Sequence, residues 1–231
     1  MRNTILVLAF IVLTLFAIPV LLVCVVSGWR DGFLSYGVWM MRVGRAILGI
    51  DIGVEGLDRL DKNTPYVFMS NHLSFLDAPL LVTVLDRHVR FIVKKFVFRI
   101  PVLGLGMSYS GYVALDRQGA GEGRKRIARA AHLIREKGFS FLIYPEGRRS
   151  GDGTLQPFHR GGFFLALDSG APIVPVSIKG TYELMPRHTW RIRRGPVRIV
   201  FHEPIAVSGY TPETMPGLME QVRTAIAADL A

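Results

Sequence analysis

The chain has 231 residues, half of them hydrophobic, with one cysteine, Cys24. That length suits one globular domain plus an appendage, and a lone cysteine excludes an internal disulfide framework. Lys and Arg outnumber Asp and Glu by 28 to 18, and the net charge of +10 calls for an anionic partner: nucleic acid, an acidic protein, a phosphorylated substrate or an anionic membrane face.

Ile5 to Val26 is an uncharged apolar run, long enough as a helix to cross a hydrocarbon core of about 30 Å. Pro19 is expected to kink it, which membrane helices tolerate. A cleaved secretory signal is the alternative, with Arg2 in front and Val25-Val26-Ser27 as a cleavage site, but signal cores are usually only about 7–15 residues. Phe33 to Ile50 is a second apolar stretch, interrupted by Arg42 and Arg45. Either the first helix spans the bilayer, or the two helices dip into one leaflet and return. The excess of arginine after the first run places the bulk of the chain on the cytoplasmic side. Residues 1–50 are thus expected to form a membrane anchor, and residues 51–231 a separate α/β domain.

Within that domain, strands are expected at Tyr66–Ser70, Val89–Val93, Gly111–Leu115, Phe139–Tyr144, Ile173–Ile178 and Val197–Phe201. Helices are expected from Ser74 towards Leu85, from Gly123 to Lys137, and from Pro212 to Leu230 with Thr211 as its cap. Alternating helices and near-continuous apolar strands predict an α/β fold with a mixed or largely parallel sheet flanked by helices.

Two polar segments interrupt this pattern. In Asn71-His-Leu-Ser-Phe-Leu-Asp77, a helix starting just after His72 lets Asp77 turn back to the imidazole, fix its tautomer and leave the other ring nitrogen as a general base. Ser74-x-x-Asp77 equally matches a capping box, and one carboxylate can serve both purposes. The second segment, Tyr144-Pro-Glu-Gly-Arg-Arg-Ser-Gly-Asp-Gly153, packs Glu146, Gly147, Arg148 and Arg149 into a turn after a strand. Its glycines admit close backbone approach, and its guanidinium forks match phosphate oxygens. Lys94 and Arg117 are expected to add positive charge around it. His132 and His159 have no spaced partner and receive no role. A nucleophile elbow, a P-loop, a dinucleotide fingerprint and a zinc cluster are all missing. A base without a nucleophilic side chain suggests that a substrate hydroxyl attacks directly.

These segments resemble the glycerolipid acyltransferases of the PlsC type, whose best-known members are the 1-acyl-sn-glycerol-3-phosphate acyltransferases. Asn71-His72-(x)4-Asp77 is similar to that family's N-H-x-x-x-x-D. Lys94-Lys95 through Pro101-Val-Leu-Gly104, continued by Val113-Ala-Leu-Asp-Arg117, is similar to its second block. Tyr144-Pro-Glu-Gly-Arg-Arg-Ser150 with Pro157-Phe-His-Arg-Gly161 is similar to the third, and Ala171-Pro-Ile-Val-Pro-Val176 to the fourth. Phe96, Arg148 and His159 depart from the residues usual in those blocks, which are glutamate, threonine and lysine.

The resemblance implies acyl transfer from a thioester, acyl-CoA or acyl carrier protein, to lysophosphatidic acid at a membrane, forming phosphatidic acid. His72 would be the base and Asp77 its partner. Glu146, Gly147, Arg148 and Arg149 would form the substrate and phosphate site, with weaker contributions from Lys94 and Arg117. It implies no metal and no cofactor beyond the co-substrate, and a cytoplasmic-face location on a bacterial-type inner membrane. Another lyso-lipid acceptor, such as lyso-ornithine lipid, keeps the same chemistry. A non-catalytic anionic-lipid-binding protein is the alternative from a different class, and nothing beyond net charge suggests nucleic acid.

Overall fold

A computed structural model describes residues 2–115 and 120–230. The chain opens with two antiparallel helices, α1 (Arg2–Ser27) and α2 (Arg30–Leu48). Tyr36 of α2 donates its hydroxyl to Leu13 O of α1 at 2.6 Å. Phe33 of α2 packs into the space over Gly106, where an added Cβ would lie 2.0 Å from its ring. Glycine at position 106 is therefore what allows the hairpin to settle on the following domain.

Seven strands follow: β1 (Asp51–Glu55), β2 (Val67–Ser70), β3 (Val89–Lys94), β4 (Val113–Leu115), β5 (Ser140–Ile143), β6 (Ile173–Lys179) and β7 (Pro196–Phe201). Between and after them lie α3 (Asp77–Val84), α4 (Leu103–Tyr109), α5 (Ala120–Lys137), α6 (Gly161–Ser169), α7 (Thr181–Leu184) and α8 (Met215–Ala227). They form one sheet in the order β1-β7-β6-β2-β5-β3-β4. All pairings between these strands are parallel except β6 with β7, so β7 and β1 run against the other five.

Alternation along β2 explains why both faces are covered. Phe68 points into a core with Leu80 and Leu81 of α3, while Val67 and Met69 point into another with Ile134 of α5, Phe163 of α6 and Val222 of α8. All six expected strands appear, with ends shifted by a residue or two. The charged and glycine-containing β1 was not foreseen, because its residues are largely exposed at the sheet edge.

Three helix starts differ from expectation. α5 begins at Ala120, three residues before Gly123. α3 begins at Asp77, three residues later than Ser74, because the intervening turn is closed by Asp77 itself. α8 begins at Met215 rather than Pro212: the Thr211 hydroxyl accepts from Glu213 N and Thr214 N, closing a separate turn, and Pro216 lies in the first helical turn instead.

Candidate active site

Register brings the two polar segments together. β2 pairs with β5 through Val67 with Phe141 and Met69 with Ile143, so the turns leaving their carboxyl ends emerge side by side. β6 lies on the other side of β2, with Ser70 opposite Val176. The chain therefore delivers His72, Tyr144 and Thr181 to one end of the sheet, outside the carboxyl ends of parallel strands.

The buried Asp77 carboxylate organises the first turn. Its Oδ2 lies 2.8 Å from His72 Nδ1 and accepts from Leu73 N at 2.7 Å and Ser74 N at 2.8 Å. Thr181 donates its hydroxyl to Oδ1 at 2.6 Å. One half of the capping box exists, the carboxylate on the Ser74 amide. The serine half does not: Ser74 Oγ donates to Met185 O and accepts from Leu76 N. Asp77 thus binds the imidazole and closes its turn from one position. Asn71 is a buried prop that pairs through both amide atoms with the backbone of Ile178, at 2.8 Å each way.

The imidazole of His72 is held flat. Its ring stacks on Tyr144 at 4.0 Å between centroids and 15° between planes. Burial pushes the Tyr144 phenol well above its usual pKa, and the Asp77 carboxylate adds to the rise, so the phenol is a neutral wall. Glu146 supports the histidine from behind. Its carboxylate accepts from His72 N at 2.6 Å and from Gln156 N at 2.7 Å. Only 1% of Glu146 is exposed, so it shapes the loop rather than contacting a ligand. Burial pushes its carboxyl up to about 7, against those two amide donors, which favour the charged form. Gly147 follows at φ +67°, a left-handed conformation, and a Cβ there would come 3.0 Å from the His159 ring.

A cavity of about 1360 Å³ opens from His72. Its lining includes Arg148, Arg149, Arg187, Lys95, Arg99 and His159, while Phe91, Val93, Phe96, Ile127, Leu142 and Ile143 supply apolar wall. None of the described residues lining it is a serine, threonine, cysteine, aspartate or glutamate. Such a cavity suits a ligand with an anionic head and an apolar tail, and among the described residues it offers no serine, threonine, cysteine or carboxylate nucleophile beside the histidine.

The Arg149 guanidinium lies 3.5 Å over the Phe75 ring. Burial lowers its pKa, Arg187 lowers it further, and Asp77 opposes both. Its Nη1 is buried without a hydrogen-bond partner among the described residues. Arg148 is exposed at the mouth. Arg117 and the side chain of Lys94 lie outside the described residues.

Three contributors were not singled out in the sequence. Tyr144 opens the second polar segment but carried no role of its own there, Thr181 lies beyond every motif, and Arg187 stands in a basic segment with no recognisable spacing. His159, given no role, lines the cavity. So do Phe96 and Arg148, which means all three departures from the usual block residues line the same space.

The family model described as Acyltransferase matches residues 51–179. The chain belongs to the acyltransferase family. It is 40% identical over 154 residues to a chloroplastic 1-acyl-sn-glycerol-3-phosphate acyltransferase of Brassica napus, a match covering 66% of this chain and 44% of that one. A human 1-acyl-sn-glycerol-3-phosphate acyltransferase alpha is 28% identical over 211 residues, covering 91% and 74%. The chain spans less than half the length of the Brassica napus and Arabidopsis thaliana relatives it matches. Among solved structures, the 1-acyl-sn-glycerophosphate acyltransferase PlsC of Thermotoga maritima superposes with a TM-score of 0.79 at 24% identity, covering 99% of this chain and 97% of that one. That likeness establishes a shared fold.

Proposed function

We propose that this acyltransferase acylates the free hydroxyl of 1-acyl-sn-glycerol 3-phosphate from a thioester donor, acyl-CoA or acyl carrier protein, forming phosphatidic acid. The observation that carries the reading is the oriented His72 at a cavity with cationic and apolar walls and, among its described lining residues, no serine, threonine, cysteine or carboxylate. The names of the relatives support the same acceptor.

In this mechanism Asp77 holds His72 Nδ1, leaving Nε2 to take the proton of the glycerol hydroxyl. The hydroxyl oxygen attacks the thioester carbonyl, the tetrahedral intermediate collapses, and the C–S bond breaks. The departing thiolate recovers the proton from the imidazolium, and Asp77 stabilises that cation while it exists. Arg149 and Arg187 are the cations we assign to the acceptor phosphate, with Arg148 at the rim. The apolar wall receives acyl chain.

The first 50 residues we read as an in-plane membrane anchor joined to an acyltransferase domain. Arg2 donates to Ile192 O at 3.1 Å, and Tyr109 donates its hydroxyl to Cys24 O at 2.7 Å, so α1 is tied to the α/β domain near both ends. Those ties are 22 residues apart, roughly 33 Å along a helix. A helix lashed down at that span lies along one leaflet, with its exposed side chains (Leu8, Leu15 and Leu22 among them) in lipid. Location on the cytoplasmic face of an inner membrane agrees with the arginine excess after α1.

Acceptor competition tests this reading. Lysophosphatidic acid and lyso-ornithine lipid are offered together to the purified protein in lipid. Preferential phosphatidic acid formation supports it; exclusive acylation of the other lipid would redirect it.

A further inference from the structure

Leaving α7, the chain runs Pro186-Arg-His-Thr-Trp-Arg-Ile-Arg-Arg194 before β7. No acidic residue occurs between Glu183 and Glu203. Trp190 is 82% exposed, the most exposed of the large hydrophobic side chains described. Arg191, Arg193 and Arg194 are exposed as well, and none is in an ion pair among the described residues. A bare tryptophan among unpaired guanidinium groups is costly in water but is suited to the boundary between acyl chains and charged headgroups.

The segment is fastened to the membrane hairpin. Asn3 donates its side-chain amide to Trp190 O at 3.4 Å, and Arg2 donates to Ile192 O. Arg194 lies against Gly49, which caps α2: its Nε would be 3.3 Å from a Cβ there. Trp190 is thus level with the first turn of a helix whose outer face, from Ile5 and Leu8 onward, is exposed and apolar. Inward, the same tryptophan stacks on Phe75 at 5.9 Å and 19°, and Phe75 underlies Arg149.

We infer that Arg187–Arg194 is a membrane-interface arm: Trp190 beds among lipid headgroups, and Arg191, Arg193 and Arg194 bind anionic ones, holding the cavity mouth against the bilayer. Charge selects an anionic partner, and continuity with the apolar face of α1 selects a lipid surface over an acidic protein. Each basic side chain near such a surface is worth about a fivefold change in binding.

The full chain is reconstituted in vesicles of phosphatidylcholine alone and with phosphatidylglycerol added. Hydrogen exchange of the amides of residues 187–194 is measured in both, and Trp190 emission is measured with lipids brominated near the headgroup, in a Trp29→Phe/Trp39→Phe protein. Anionic lipid should slow exchange across the segment and quench Trp190, and high salt should reverse both. Arg191→Gln/Arg193→Gln/Arg194→Gln should raise the phosphatidylglycerol fraction needed for half-maximal quenching at least several-fold. The inference is overturned if both vesicle types give the same exchange and quenching, or if the triple variant behaves like its parent. Slowed exchange with acyl carrier protein in detergent, but not with anionic lipid, would overturn it in favour of a protein dock. The exchange measurement needs no substitution and neither readout needs turnover, so a failed acyl-transfer assay leaves this test intact.

Discussion

Thr181 donates its hydroxyl to Asp77 Oδ1 across 104 residues of chain, at 2.6 Å. That contact joins the carboxyl end of β6 to the turn after β2, and it occupies the one Asp77 oxygen that the histidine turn leaves open. The carboxylate then has four donors and no freedom to rotate. Thr181→Val removes the fourth while keeping shape, so it should destabilise the fold by about 1–3 kcal/mol. It should also lower kcat by roughly tenfold as the imidazole loses alignment. Thr181→Ser should restore both, as thermal melts and initial rates would show.

Asp77→Asn should be worse. The asparagine oxygen can keep the imidazole, Leu73 N and Ser74 N, and its amide nitrogen can donate to the Thr181 hydroxyl, but the negative charge beside the imidazole is gone. A loss in kcat on the order of 10³–10⁴ is expected, because the imidazolium formed during the reaction loses its stabilising charge. Pre-steady-state rates on detergent-solubilised protein would measure it.

Arg149→Lys tests the phosphate assignment. Lysine keeps the charge but loses the planar fork and its stacking on Phe75. The cost of one charge-assisted contact is about 1.5–3 kcal/mol, or roughly 10- to 100-fold in acceptor KM. Donor KM should move little, so titrating the two substrates separately distinguishes this from general damage.

Glu146 carries a pH signature. Its carboxyl rises from an ordinary 4.5 to about 7 on folding, because burial outweighs its amide donors. The folded protein therefore holds that proton more tightly than the unfolded chain. This contribution to stability is full below about 4.5 and is lost as pH rises through about 7. Glu146→Gln cannot titrate, so its melting temperature should fall less steeply than the parent's between those values.

Gly106→Val addresses the hairpin. A side chain there would displace the Phe33 ring, costing about 1–3 kcal/mol and loosening α2 from α4. Faster amide exchange in α2, with the sheet unchanged, is the expected pattern.

Much of this architecture was legible in the sequence. The central strands are apolar runs, and His72 with Asp77 stands out as a polar interruption that a late helix start turns into a pair. Four ordered blocks identify the relatives. Arg187 and Thr181 were not legible, because their roles depend on α7 returning beside β2, a neighbour relation set by sheet order. Glu146 was read as facing the ligand; only the backbone amides of His72 and Gln156, invisible in side-chain identity, turn it inward. The edge strand β1 failed for a related reason, since an exposed edge leaves little apolar alternation to detect.

The central claim is most directly tested by acyl transfer itself. Purified protein in lipid is given lysophosphatidic acid with labelled acyl-CoA and, in parallel, labelled acyl carrier protein, alongside a His72→Ala variant of unchanged melting temperature. Phosphatidic acid should form with at least one donor, and the variant should be slower by roughly 10²–10⁴. Folded protein that transfers from neither donor, or a variant as fast as its parent, would contradict it.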